Sequence, residues 1–194
     1  MDRLKRARFL LRITHGHLVL RRYFVVNGFD GALTMMGLIL GFLVSTPADI
    51  TVVINVCLGA AIALSMSGFS SAYVSESSER RRALGKLEKA MISDLQESTH
   101  GAAARLTPLL VALVNGLAPL IISLLILMPL WLGSLGASLP VSPLYAAILV
   151  ALMLIFLLGV FLGRVAEISW LRSGLQTLLV AVATTALIYL FVGG

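Results

Sequence analysis

An all-α integral membrane protein with five transmembrane helices is the fold class that this sequence predicts, and three observations predict it. Of its 194 residues 59% are hydrophobic and only 12% are charged, proportions far from those of a soluble globular domain. Five runs lack Lys, Arg and Glu over the roughly 20 residues that a helix needs to cross a bilayer. The 15 basic residues fall in three clusters only: seven before position 23, six from Arg80 to Arg105, and Arg164 with Arg172.

Each element follows from its own stretch. Residues 1–22 mix bases with Leu, Phe and Ile, which suits a helix lying in the headgroup layer and attracted by anionic lipid headgroups. Bases continue through Arg22 with no small-residue cleavage site beyond, so a secretory signal is not expected. His15 and His17 make a poor metal pair, because two residues apart on a helix their rings point about 200° from each other. Span one covers 23–44 and is interrupted only by Asp30. The turn sequence "STPAD" then leads into span two, 50–75. Good helix formers and an apolar stripe of Leu84, Leu87, Met91 and Leu95 predict a helical extension over 76–101, with Gly101 as its stop. No charge occurs between Arg105 and Arg164, too long a run for one helix. The breakers in "GSLGASLPVSP" divide it into span three, 106–132, and span four, 143–163. Span five covers 174–192. A basic segment, 1–22, therefore precedes a membrane domain, 23–194. Five spans place all three basic clusters on one side, which the positive-inside rule makes cytoplasmic, N-terminus included.

The residues able to carry chemistry are few. Asp30 lies about 10 Å into span one at the helical rise, and an ionised carboxylate at such a depth costs several kcal/mol unless it has partners or a wet cavity. Thr34, Gly37 and Gly41 share its face; small residues at this spacing serve either close helix packing or a pore lining. Met35 and Met36 point to different faces, with lipid contact the ordinary expectation for each. Span two carries Met66, Ser70, Tyr73 and Ser77 in one stripe, and a thioether beside hydroxyls and a carboxylate is a set that Fe²⁺ could use. Asn115, followed by Gly116 and Pro119 in a bent span three, suits interhelical hydrogen bonding or path lining. Cys57 has no partner for a disulfide and packs as a small hydrophobe.

No nucleophile constellation, His and Glu pair, phosphate-cradling glycine loop or Cys-x-x-Cys occurs, so neither an enzyme, a permanently bound cofactor nor a nucleic-acid partner is expected. An intramembrane acid, methionines, hydroxyls and bent helices are the ingredients of a cation path. A two-fold axis beside span one would give two copies of Asp30 a shared wet cleft, which makes a homodimer expected, with Gly37 and Gly41 at its interface.

Four segments, "NGFDGALTMMGLILGF", "ALSMSGFSSAYVSESSERRRALGKLEKAM", "PLLVALVNGLAPLI" and "LLGVFLGRVAEISWLRSGLQTLLVAVATTALIYLFVG", resemble the vacuolar iron transporter family. The resemblance implies a five-helix homodimer with a cation path near its axis, carrying Fe²⁺ or Mn²⁺ as substrate out of the cytosol against protons. It implies metal contact at Asp30 and Met66, on a path shared with Thr34, Met35, Ser70, Tyr73, Glu76 and Asn115. Two departures stand out. Where plant-like members read Gly-Glu-Tyr-Val-Ser this chain reads Ser71-Ala72-Tyr73-Val74-Ser75, leaving Glu76, a turn lower, as partial replacement. The large cytoplasmic metal-binding domain of iron-carrying members is missing, and Glu79, Glu88, Met91, Asp94 and Glu97 are either its remnant or a solvated, salt-bridged helix face. The alternative function is a non-transporting membrane scaffold or accessory protein of the same fold. Lean loops suggest a prokaryotic cytoplasmic membrane, or the vacuolar membrane in a eukaryote.

Overall fold

The computed structural model describes residues 16–45, 49–138 and 140–192, with side chains from Leu20 onward. The expected interfacial segment 1–22 falls mostly outside these residues, as do His15 and the middle of the "STPAD" turn. Five helices make up the described chain: α1 (Gly16–Val44), α2 (Ile50–Met91), α3 (Thr99–Ser134), α4 (Pro143–Val165) and α5 (Trp170–Val192). All five are long enough and apolar enough to cross a membrane.

Helix α1 is the hub. It packs on α3, α4 and α5, whereas α2 lies mainly on α3 and touches α1 far less. The core is built from Met35, Met36 and Ile39 of α1, Ile126, Leu127 and Leu130 of α3, and Ala147, Ala151 and Ile155 of α4, with Val53, Cys57 and Ala61 of α2 closing one side. Met35 and Met36 were candidates for lipid contact from sequence; both are fully buried. Three neighbours surround α1, so two different faces of it are interior at once. Cys57 is buried in the same core.

The 42 residues of α2 reach about 63 Å at 1.5 Å per residue, twice the thickness of a hydrocarbon core. The excess carries the bases and projects past the bundle. Met91 is its last residue, and Ile92 takes the left-handed conformation, φ 52°, with its N–H donated to the Glu88 carbonyl. The return to α3 is tied by side chains: Glu88 Oε1 accepts from Leu95 N (3.2 Å), Asp94 Oδ1 from Gln96 N (2.8 Å), and Ser98 Oγ from the N–H groups of His100 and Gly101. Ser98 is thus the N-cap of α3. Gly101 sits in the first turn of α3, not at a helix end. A Cβ there would lie 2.6 Å from the Leu95 carbonyl oxygen and closer still to that of Gln96, so the glycine permits the tight return.

Prolines 108, 119 and 129 stand inside α3. Each lacks an N–H and frees the carbonyl four residues earlier. At Pro119 that carbonyl is Asn115's. A Cβ on Gly31 would meet Pro119 Cα at 2.8 Å, and one on Gly116 would meet the Ser65 carbonyl at 2.8 Å. Helices α1 and α2 therefore both approach the backbone of α3 closely, at Pro119 and at Gly116.

Candidate functional site

The site is assembled on the N-terminal half of α1, where Tyr23, Asn27 and Asp30 follow one another around one and two turns. Asn27 Nδ2 donates to the Tyr23 carbonyl (2.9 Å) and to Asn115 Oδ1 of α3. Asn115 Nδ2 in turn donates to the Gly68 carbonyl of α2 (2.6 Å). A chain of amides thus ties three helices together. It is possible because Gly68 has no side chain: a Cβ there would lie 3.0 Å from the Asn115 carbonyl oxygen. Asn115 is 5% exposed, and in an apolar surrounding such an interhelical bond contributes about 0.6 to 1.7 kcal/mol. Asn115 stands out in the sequence beside Gly116 and Pro119, whereas Asn27 shows there only as an amide three residues ahead of Asp30.

Above this tie opens a cavity of about 670 Å³ between the basic ends of α1, α2 and α3. Asn27 and Asn115 are in its wall, together with Glu76, Glu79, Arg80, Arg22 and Tyr23. Glu76 is paired with Arg80 one turn on (2.7 Å), so one carboxylate is neutralised locally. Glu79 is exposed and makes no ion pair among the described residues.

Asp30 lies in a second, smaller pocket of about 230 Å³ formed by α1, α4 and α5. Its wall is apolar apart from Gln176 and Thr177, and the Thr177 hydroxyl is already engaged, donating to the Ile155 and Gly174 carbonyls (3.1 and 2.8 Å). Gln176 is therefore the neutral polar group available beside the acid, a residue that nothing in its own stretch of sequence ties to Asp30. No hydrogen bond or ion pair reaches Asp30 among the described residues. Val26, one turn before Asp30, belongs to the walls of both cavities. One side chain is thus common to the vestibule and to the pocket that holds the carboxylate.

The other expected path residues are spread more widely. Met66 is 59% exposed and Tyr73 43% exposed on α2, with Ser70 donating to the Met66 carbonyl (2.7 Å); Met66 lines none of these cavities. Met66 and Asp30 are not brought together within the chain. Met35 is sealed in the core, and Thr34 is partly buried. A Cβ on Gly37 would touch Ile188 of α5 at 3.7 Å, whereas Gly41 has open space around it. Of the extension's carboxylates, Glu88 and Asp94 are used to cap the turn into α3. No group of three His, Cys, Asp or Glu residues stands close enough to hold a metal ion among the described residues.

No family profile and no solved structure matches the chain. It is similar to an uncharacterized protein of the archaeon Methanocaldococcus jannaschii, 28% identical over 172 residues that cover 87% of this chain and 86% of the relative. The similarity therefore runs through nearly the whole length of both chains.

Proposed function

We propose that the protein is a divalent-cation transporter of the cytoplasmic membrane, moving Fe²⁺ or Mn²⁺ out of the cytosol in exchange for protons as a homodimer. The observation that carries this reading is that Asp30, without a hydrogen-bond or ion-pair partner among the described residues, lies in a pocket that shares Val26 with an amide-walled vestibule. Glu79 at the vestibule is the acid free to meet a cation, the side-chain oxygens of Asn27 and Asn115 can replace water around an ion, and Asp30 holds a metal ion and a proton in turn. The exposed Val26 and Asp30, with open space at Gly41, leave one stripe of α1 uncovered in the protomer. A second copy on this stripe would set two Asp30 carboxylates across a common cleft, with Met66 of each α2 added from the flank.

Proteoliposomes loaded with a metal-sensitive dye test the reading. Parent protein should take up Fe²⁺ or Mn²⁺, and Asp30→Ala should reduce uptake to that of empty vesicles; normal uptake by the variant overturns the mechanism. A scaffold or accessory role is the competing reading. It is favoured by the use of Glu88 and Asp94 as turn caps in place of a metal-binding domain. Absence of any thermal shift with divalent ions, in protein that remains dimeric, would select it.

A further inference from the structure

A third cavity lies between α2 and α3 and shares no lining residue with the other two, although it takes in Tyr73, which the sequence placed on the expected path. It measures about 570 Å³ and is lined by Tyr73, Ser77, Arg81 and Glu88 of α2, Gln96 of the return and Arg105 of α3. Two guanidiniums thus face one space with two hydroxyls and an amide. Their charge is available: the ion pair found on this part of α2 uses Arg80 and Glu76, and among the described residues neither Arg81 nor Arg105 has a carboxylate partner. Glu88, the one acid in the wall, has its Oε1 occupied by the Leu95 N–H. Tyr73 is held in place by Phe69, its ring parallel to within 3° at 6.5 Å.

The cavity's level in the fold identifies what it faces. Arg105 is the last charge before the long apolar run of α3, and the residues following it, Leu106 and Leu109, are exposed at 41% and 42%, as is Val74 at 64% beside Tyr73. Hydrocarbon would begin directly beneath the two arginines. Guanidiniums with neighbouring hydroxyls are the donors that match a phosphate diester, and paired N–H groups give the geometry a point charge lacks. A soluble anion would use only the head of this site, leaving the exposed apolar strip below it uncovered.

We propose that this cavity is a binding site for one anionic phospholipid, its phosphate held by Arg81 and Arg105 with Tyr73 and Ser77, and its acyl chains running down the exposed strip of Val74, Leu106 and Leu109. The assignment is independent of transport and of which side of the membrane this end faces. Bound lipid would brace the short return between α2 and α3.

Native mass spectrometry of the full chain, released from detergent with phosphatidylglycerol or phosphatidylcholine, tests it. Parent protein should retain one phosphatidylglycerol in preference to phosphatidylcholine, and R81Q/R105Q should bind it about tenfold more weakly, as expected for lost charge-assisted hydrogen bonds. R164Q/R172Q, altered on the other basic loop, should retain it as the parent does. Equal retention by R81Q/R105Q overturns the site, and so does an equal loss in R164Q/R172Q, which would mean that any base on this end suffices. Displacement of the lipid by an equal concentration of inorganic phosphate would make the ligand a free anion and overturn the lipid assignment. Should the double variant aggregate, the exposed Arg81→Gln alone is measured, with about a threefold loss expected and no loss overturning the proposal.

Discussion

Helices α1 and α5 are both spans by length and composition, yet 44% of the most apolar stretch of α1 is buried within the chain and only 6% of that of α5. Hydropathy runs the other way: α1 is the least apolar of the five. The difference teaches what holds such a bundle together. Lipid tails solvate leucine as well as a neighbouring helix does, so close contact comes from small residues and from polar groups with no other partner. Helix α1 has Gly28 and Gly31 against α3 and α4 and Asn27 bonded to Asn115. Helix α5 meets α4 through Gly159, Gly163 and Gly174 at one end, and toward its C-terminus presents Leu179, Val182, Leu187, Leu190 and Phe191 outward.

The comparison can be broken first at Gly31. A side chain there must displace Pro119, whose Cα would lie 2.8 Å from the new Cβ. Gly31→Leu should therefore cost about 3 kcal/mol or more and separate α1 from α3, read as loss of a folded species in denaturant titration. Next comes Asn115→Ala, which leaves Asn27 and the Gly68 carbonyl without their partner; a loss of about 1–2 kcal/mol is expected, with cysteine crosslinking between α1 and α2 becoming less selective. The smallest effect belongs to α5. Leu179→Ala, at a position 62% exposed, should change unfolding free energy by no more than about 0.5 kcal/mol. A cost several times larger would mean that another surface covers α5, and would move the proposed two-fold axis from the exposed stripe of α1 to α5.

The five helices were legible because charge-free runs and breaker residues are local signals. The α2 extension was legible too, since Leu84, Leu87, Met91 and Leu95 repeat at helical spacing. Its end was not: Ile92 is β-branched and exposed at 94%, nothing in its type announces a left-handed residue, and Gly101 offered a stronger but misplaced stop signal. The facing of α1 was only half legible. Asp30, Thr34, Gly37 and Gly41 form a stripe by spacing alone, but the burial of both Met35 and Met36 depends on three neighbours arriving from distant parts of the chain. Gln176 beside Asp30 and Val26 in the walls of both cavities depend on packing in the same way.

The amide tie between α1 and α3 also sets a schedule for biosynthesis. Asn27 and Asn115 are 88 residues apart in the chain, so at about 5–20 residues per second the first waits roughly 4–18 s for the second to be made. In hydrocarbon no water would stand in for the missing partner. The helix of lowest hydropathy among the five is thus made well before the residue that takes up its amide.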